Sequence, residues 1–173
     1  GENPDPSLFD MSAALEGGSA PEGLEGGGSV EEILAAAARV RERMVYYVAL
    51  DTIDFLDKGG RIADAAKFLS SFLKIKPLIY VKPESGAVGA SLPARTRKAS
   101  LQGLYKEFFK HFRPGQSLHL TVVHNDAEDE AEAMAERIRQ DYAPKEMTIT
   151  IASPVLGAHT GPKAVGILGY SED

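Results

Sequence analysis

The stretch SLHLTVVH, residues 117–124, changes its pattern halfway. Leu118 and Leu120 alternate with His119 and Thr121, and then Val122 and Val123 run together. Alternation marks a strand covered on one face, and a continuous apolar run marks one covered on both. A central strand is therefore expected here. Downstream, Asp126 or a neighbour opens an acidic helix over 127–141, with Ala131, Met134, Ala135 and Ile138 facing inward. MTITIAS (147–153) and AVGILGY (164–170) read as further strands. Upstream, Thr96 can cap a long amphipathic helix over 97–112, whose apolar side is Leu101, Leu104, Tyr105, Phe108 and Phe112. Pro114–Gly115 ends it.

Before that helix, KPLIYVK (76–82) reads as a strand and ESGAVGAS (84–91) as a hairpin-like excursion. VYYVAL (45–50) has the composition of a buried strand. DTIDFLDK (51–58) reads as a short helix stopped by Gly59–Gly60, and a second helix runs from Arg61 or Ile62 to about Leu73. Ser29 and Glu32 have capping-box spacing ahead of VEEILAAAARVRERM (30–44). Strands alternating with helices of these lengths give an α/β sandwich. The first 29 residues differ: glycine, glutamate, proline and serine dominate, and such a segment cannot bury enough apolar surface to offset its ordering entropy. The expected organisation is a flexible tail over 1–29 and one α/β domain over 30–173.

Composition narrows the function classes. The 173 residues are 43% hydrophobic, enough for a real core, and carry a net charge of −6. That charge argues against bulk nucleic-acid binding, which needs a basic surface. No apolar run approaches the ~20 residues a membrane helix requires. The absence of cysteine rules out disulfides, thiolate metal ligands and a cysteine nucleophile. The sequence opens at Gly1 with no charged-then-apolar leader, so a fragment or processed chain in the cytoplasm is the expectation.

Three loops pair glycines with groups that handle an anion. In KGGRI (58–62), Arg61 stands at a helix start, where free N–H groups attract negative charge. In PARTRKA (93–99), Arg95 and Arg97 flank the Thr96 cap, at the helix end where the dipole disfavours cations. An acidic group arriving from outside would explain that placement. In GAHTGP (157–162), His159 and Thr160 sit in a glycine–proline turn able to hold a carboxylate or phosphate oxygen. Each loop also has a plain reading: a glycine cap with a solvated arginine, surface arginines in water, a polar turn. His124, at a strand end, reads as structural, and His111 and His119 have no comparable surroundings. No metal-ligand spacing, P-loop or G-x-S-x-G elbow is present.

Taken in order, YYVALDTIDFLDKGGRI (46–62), LKIKPLIYV (73–81), ARTRKA (94–99) and SPVLGAHTGPKAVGI (153–167) resemble the DegV family. The resemblance covers about residues 30–170 and corresponds to that family's C-terminal domain. It implies a layered sandwich of a mixed central β-sheet with flanking helices, in a cytoplasmic, bacterial, non-catalytic lipid-binding protein. Such a protein holds one long-chain fatty acid and presents its carboxylate to a separate ATP-dependent fatty-acid kinase subunit, which makes an acyl-phosphate. No cofactor is implied beyond the bound fatty acid, and no nucleic-acid partner; a monomer is expected, with peripheral membrane contact allowed.

By the same resemblance, His159 and Thr160 lie at the ligand carboxylate. Arg61, Arg95 and Arg97 meet the partner or the acyl-phosphate charge. Ile62, Ala66, Leu69, Phe72, Leu73, Leu101 and Phe108 are candidates for the acyl tunnel. The family's N-terminal domain, which supplies hydroxyl groups to the carboxylate, is expected to be missing by this resemblance, with the glycine-rich stretch in its place. Two further readings stay open: a protein-interaction or regulatory module that has lost its lipid, and a small-molecule enzyme using His159 as general acid or base.

Overall fold

The structure, a computed structural model, describes residues 29–58, 74–83, 85–91 and 93–172. In chain order these form α1 (Val30–Arg43), β1 (Val45–Ala49), α2 (Asp54–Lys58), β2 (Leu78–Val81), β3 (Val88–Ala90) and α3 (Arg97–Phe109). Then follow β4 (Leu118–Asn125), α4 (Glu128–Tyr142), β5 (Glu146–Ile151), α5 (Pro154–Thr160) and β6 (Ala164–Ser171). The six strands make one sheet in the order β3-β2-β1-β6-β4-β5. Only β4 and β5 pair in parallel, joined by the crossover helix α4; every other pair is antiparallel. The mixed sheet with flanking helices is thus present as expected.

Residue alternation assigns the two faces. On the first, Ala49, Leu78, Leu118, Leu120, Val122, Val165 and Ile167 meet α3 and α4 through Leu104, Phe108, Ala131, Met134 and Ile138. Phe108 is fully buried at the centre of this layer, and removing a large apolar side chain of that kind from water contributes about 1.5–3 kcal/mol. On the second face Val48, Leu50 and Ile79 pack with Leu56 of α2 and with Ala164. The change in pattern within 117–124 now has its cause. Leu118, Leu120 and Val122 serve the first face, and Val123 is buried on the second, where α5 covers the end of β4.

Several boundaries differ from the sequence reading. The helix expected over 97–112 stops at Phe109, with Phe112 N–H bonded to the Phe109 carbonyl in a tighter closing turn. The strand expected over 147–153 ends at Ile151, because Ser153 is the cap of α5 and its hydroxyl accepts from Leu156 N–H at 3.3 Å. GAHTGP is not a loop up to Thr160: residues 157–160 are the last turn of α5, and the loop begins at Gly161. Of the tail expected over 1–29 only Ser29 is described, as the cap of α1, and the helix expected from Arg61 or Ile62 to about Leu73 lies outside the described residues. Among the described residues no helix is long and apolar enough to cross a membrane.

Candidate functional site

Strand direction gathers the chemistry-bearing segments at one edge of the sheet. β1 and β4 both run antiparallel to β6, and β5 runs with β4, so the ends of β1, β4 and β5 lie where β2 and β6 begin. That edge therefore receives Asp51, Lys76, His124, Asn125, α5 and the Gly161–Lys163 turn. The carboxyl ends of parallel-running strands are the usual location of sites in α/β folds.

The helix α5 carries His159 and Thr160. Pro154 suits its first turn, where a backbone N–H would have no partner. Its C-cap Gly161 has φ +73°, and a Cβ there would come within 2.3 Å of the Phe55 ring. Glycine is thus required both by the left-handed backbone and by the packing of α2 on α5. Thr160 is buried and donates its hydroxyl proton to the Leu156 carbonyl at 2.9 Å, so its one donor is engaged within the helix. His159 is half-buried in the last turn and has no hydrogen-bond partner among the described residues.

Between α5 and the second face lies a small recess of about 10 Å³, walled by Tyr46, Val48, Val123, Leu156 and Gly166 with Thr160 at its margin. A space of that size admits a guest no larger than a water molecule or a methyl group. Burial pushes the Tyr46 phenol well above its ordinary pKa, so the recess carries no charge from it at neutral pH. His124 is buried beside this recess with Nδ1 accepting from Ala127 N–H at 3.4 Å. Ala127 caps α4 without a side-chain bond, and His124 takes up the N–H of that cap residue at the entry to the helix.

Charged groups border the same edge. Lys76 Nζ donates to the Asp51 carboxylate at 2.5 Å and to the Asp51 carbonyl at 3.1 Å. The Lys76 bond, then the Lys76, Arg97 and Lys163 charges, hold the Asp51 carboxyl below the usual carboxylate range. The Lys76 backbone exchanges both its hydrogen bonds with Ala94, at 2.7 and 3.0 Å, one residue before Arg95. One lysine thus ties the segment bearing Arg95 and Arg97 to the segment leading into α2. Arg97 Nε lies 3.0 Å from both carboxylate oxygens of Glu130, and Nη2 bonds the same group. The acid that Arg97 was expected to meet from outside is therefore already present at the start of α4. Its Nη1 remains buried with no partner among the described residues.

The structure brings His159 and Thr160 together on α5 and places Arg97 and exposed Arg95 along the same edge. Leu101 and Phe108 lie instead in the closed layer between α3 and the first face, across the sheet from the recess. Arg61, Ile62, Ala66, Leu69, Phe72 and Leu73 fall outside the described residues. The sequence reading missed Asn125, whose amide bonds α5, and the Asp51–Lys76 pair. A lone asparagine after a strand carries no signal of a distant helix partner, and nothing in the spacing of residues 51 and 76 announces their contact. No cluster of three metal-ligating side chains occurs among the described residues.

The family model described as "Uncharacterised protein, DegV family" matches residues 4–172, reaching well into the glycine-rich stretch. A DegV domain-containing protein of Clostridium perfringens is 33% identical over 149 residues, covering 85% of this chain and 51% of that protein. One from Streptomyces coelicolor is 33% identical over 152 residues, covering 87% and 53%. The chain thus spans about half the length of the curated relatives it matches. Among solved structures, a DegV family protein from Thermus thermophilus described for its fatty-acid binding superposes with a TM-score of 0.76 at 30% identity, over 86% of this chain and 52% of that one. A stearic acid-binding protein from Eubacterium ventriosum has the same fold, with a TM-score of 0.76 at 19% identity over 96% and 55%.

Proposed function

This chain belongs to the DegV family, and from that premise we propose that it contributes the acyl-holding half of a fatty-acid-binding protein. The observation that carries the reading is the juxtaposition at α5: an imidazole with no hydrogen-bond partner among the described residues, on a helix that roofs an apolar recess. A fatty acid has one anionic head and a long apolar tail. The head would meet α5, and the recess, with room for no more than a methyl group, would mark only the start of the tail's path. His159 would hydrogen-bond the carboxylate. Thr160, once its hydroxyl turns from the Leu156 carbonyl, would donate a second bond. The tail would run along the second face from the recess, with Ile62, Ala66, Leu69, Phe72 and Leu73 as its further wall. Leu101 and Phe108 support the sheet from beneath. The Thermus thermophilus relative described for fatty-acid binding, at 30% identity, supports the ligand class.

The same reading makes the chain a carrier that presents the carboxylate to a separate ATP-dependent kinase. Arg61, Arg95 and Arg97 would then face the partner or the acyl-phosphate. Of the two described arginines, Arg95 is exposed and Arg97 is held by Glu130, so Arg95 is the freer contact and Arg97 the more fixed one.

The test is native mass spectrometry of the purified chain, followed by denaturing extraction and lipid analysis. One equivalent of a long-chain fatty acid that is lost in His159→Ala is the expected result. A wild-type chain that stays empty even when oleate is supplied, alone and with the remaining half of a relative added in trans, would refute it.

A further inference from the structure

Asn125, the last residue of β4, places its side-chain amide against α5. Nδ2 donates to the carbonyl oxygens of Gly161 at 2.7 Å and Gly157 at 3.3 Å. Both partners are pure acceptors, which fixes the amide with its nitrogen toward the helix. His159 lies midway between these two residues in the chain. The contact is close: a Cβ on Gly157 would stand 3.2 Å from Nδ2 and 3.4 Å from the amide carbon. With seven residues, α5 is too short to hold its direction through its own hydrogen bonds, so tertiary anchors must set it. Phe55 packs against Gly161 from one side, and Asn125 grips the same turn from the sheet.

We propose that Asn125 is the positioning residue for His159: by pinning the Gly157 and Gly161 carbonyls to the end of β4, it sets where the imidazole meets the ligand carboxylate. This inference rests on the fatty-acid reading above. A hydrogen bond to a carboxylate is sensitive to misplacement of a few tenths of an ångström, and a side chain is held that well only when its support is itself fixed. A purely structural role, quieting two carbonyls at a helix end, would stabilise the chain without reference to His159. The two roles separate in a double-mutant cycle, because a residue that acts through His159 has little left to lose once the imidazole is gone.

The experiment titrates [1-13C]oleate into wild type, Asn125→Asp, His159→Ala and the double variant, at a temperature where melting curves show each fully folded. Asn125→Asp keeps the shape and removes both N–H donors. The expected result is a weakening of about five- to tenfold in Asn125→Asp, with the double variant no weaker than His159→Ala alone. Losses that multiply, or an Asn125→Asp affinity equal to wild type, overturn the positioning role while the fatty-acid reading stands. Wild type that takes up no oleate overturns both. Should Asn125→Asp fail to fold, Gly157→Ala replaces it in the cycle. That change raises helix propensity while pushing the amide aside, and the same non-additivity is expected, with multiplying losses again overturning the role.

Discussion

At the scale of single residues, the site edge depends on a few atoms with no slack. Gly161 is the clearest case, because its backbone and its neighbour both exclude a side chain. Gly161→Ala is expected to cost at least about 2 kcal/mol, from left-handed strain and from the displaced Phe55 ring. A melting curve and the oleate affinity should fall together, since the α2–α5 junction carries His159. Asp51 gives a pH signature of the same edge. Its carboxyl is depressed in the folded chain, so the stabilisation is complete above the unfolded value of about 3.9 and is lost as pH falls through the lower folded value. Asp51→Asn should remove that acid-limb contribution, leaving a deficit of under about 1 kcal/mol at pH 7 because the pair is partly exposed. Denaturant titrations between pH 6 and pH 2 check both the sign and the size.

At the scale of elements, α3 and α4 are bound to each other at two levels besides their shared core. Arg97 engages Glu130 near one end, and Tyr105 donates to Asp141 at 2.5 Å near the other. Burial and the Asp141 carboxylate raise the Tyr105 phenol, which therefore stays protonated and able to donate across the neutral range. Phe108→Ala, which would empty the centre of this layer, is expected to cost about 3–5 kcal/mol. Tyr105→Phe, which removes one hydrogen bond and keeps the ring, is expected to cost about 1 kcal/mol. Thermal melts of the two variants should show that ordering. These helices were legible in the sequence because their apolar residues repeat at helical spacing and Thr96 announces the cap of α3. The short helix α5 was not. Pro154, Gly157, Gly161 and Pro162 are turn residues by local preference, and the helix exists because Ser153, Asn125 and Phe55 anchor it. The His159 segment therefore reads as a loop in the sequence and is a helix in the structure, since what shapes it lies 34 residues earlier in the chain, at Asn125.

At the scale of the whole molecule, the strands were legible and their order was not. Period and composition mark 45–50 and 164–170 as strands, but nothing local says that β6, the last, lies between β1 and β4. That insertion makes two unlike edges. One carries α5, the Asp51–Lys76 pair, Arg95 and Arg97. The opposite edge is closed by a network on the final residues: His119 lies between Glu146, at 3.0 Å, and Glu172, at 2.7 Å, and stacks on Tyr170. Lys145 also donates to Glu172 at 2.8 Å, and Arg43 bonds the Glu172 carbonyl at 2.7 Å. Bonds from Lys145, Ser117 and His119, in that order, bring the Glu172 carboxyl down to about 2. With a depressed folded value, its stabilisation is fully present above the unfolded carboxylate range near 4.3 and disappears as pH falls through about 2. Glu172→Gln should therefore flatten part of the melting-temperature decline between pH 5 and pH 2. It should leave oleate affinity at pH 7 unchanged, because this network sits at the opposite end of the strands from α5. A variant that keeps the full wild-type acid limb would remove Glu172 from the account of that edge, and one that loses oleate binding would show that the two edges are coupled through β6.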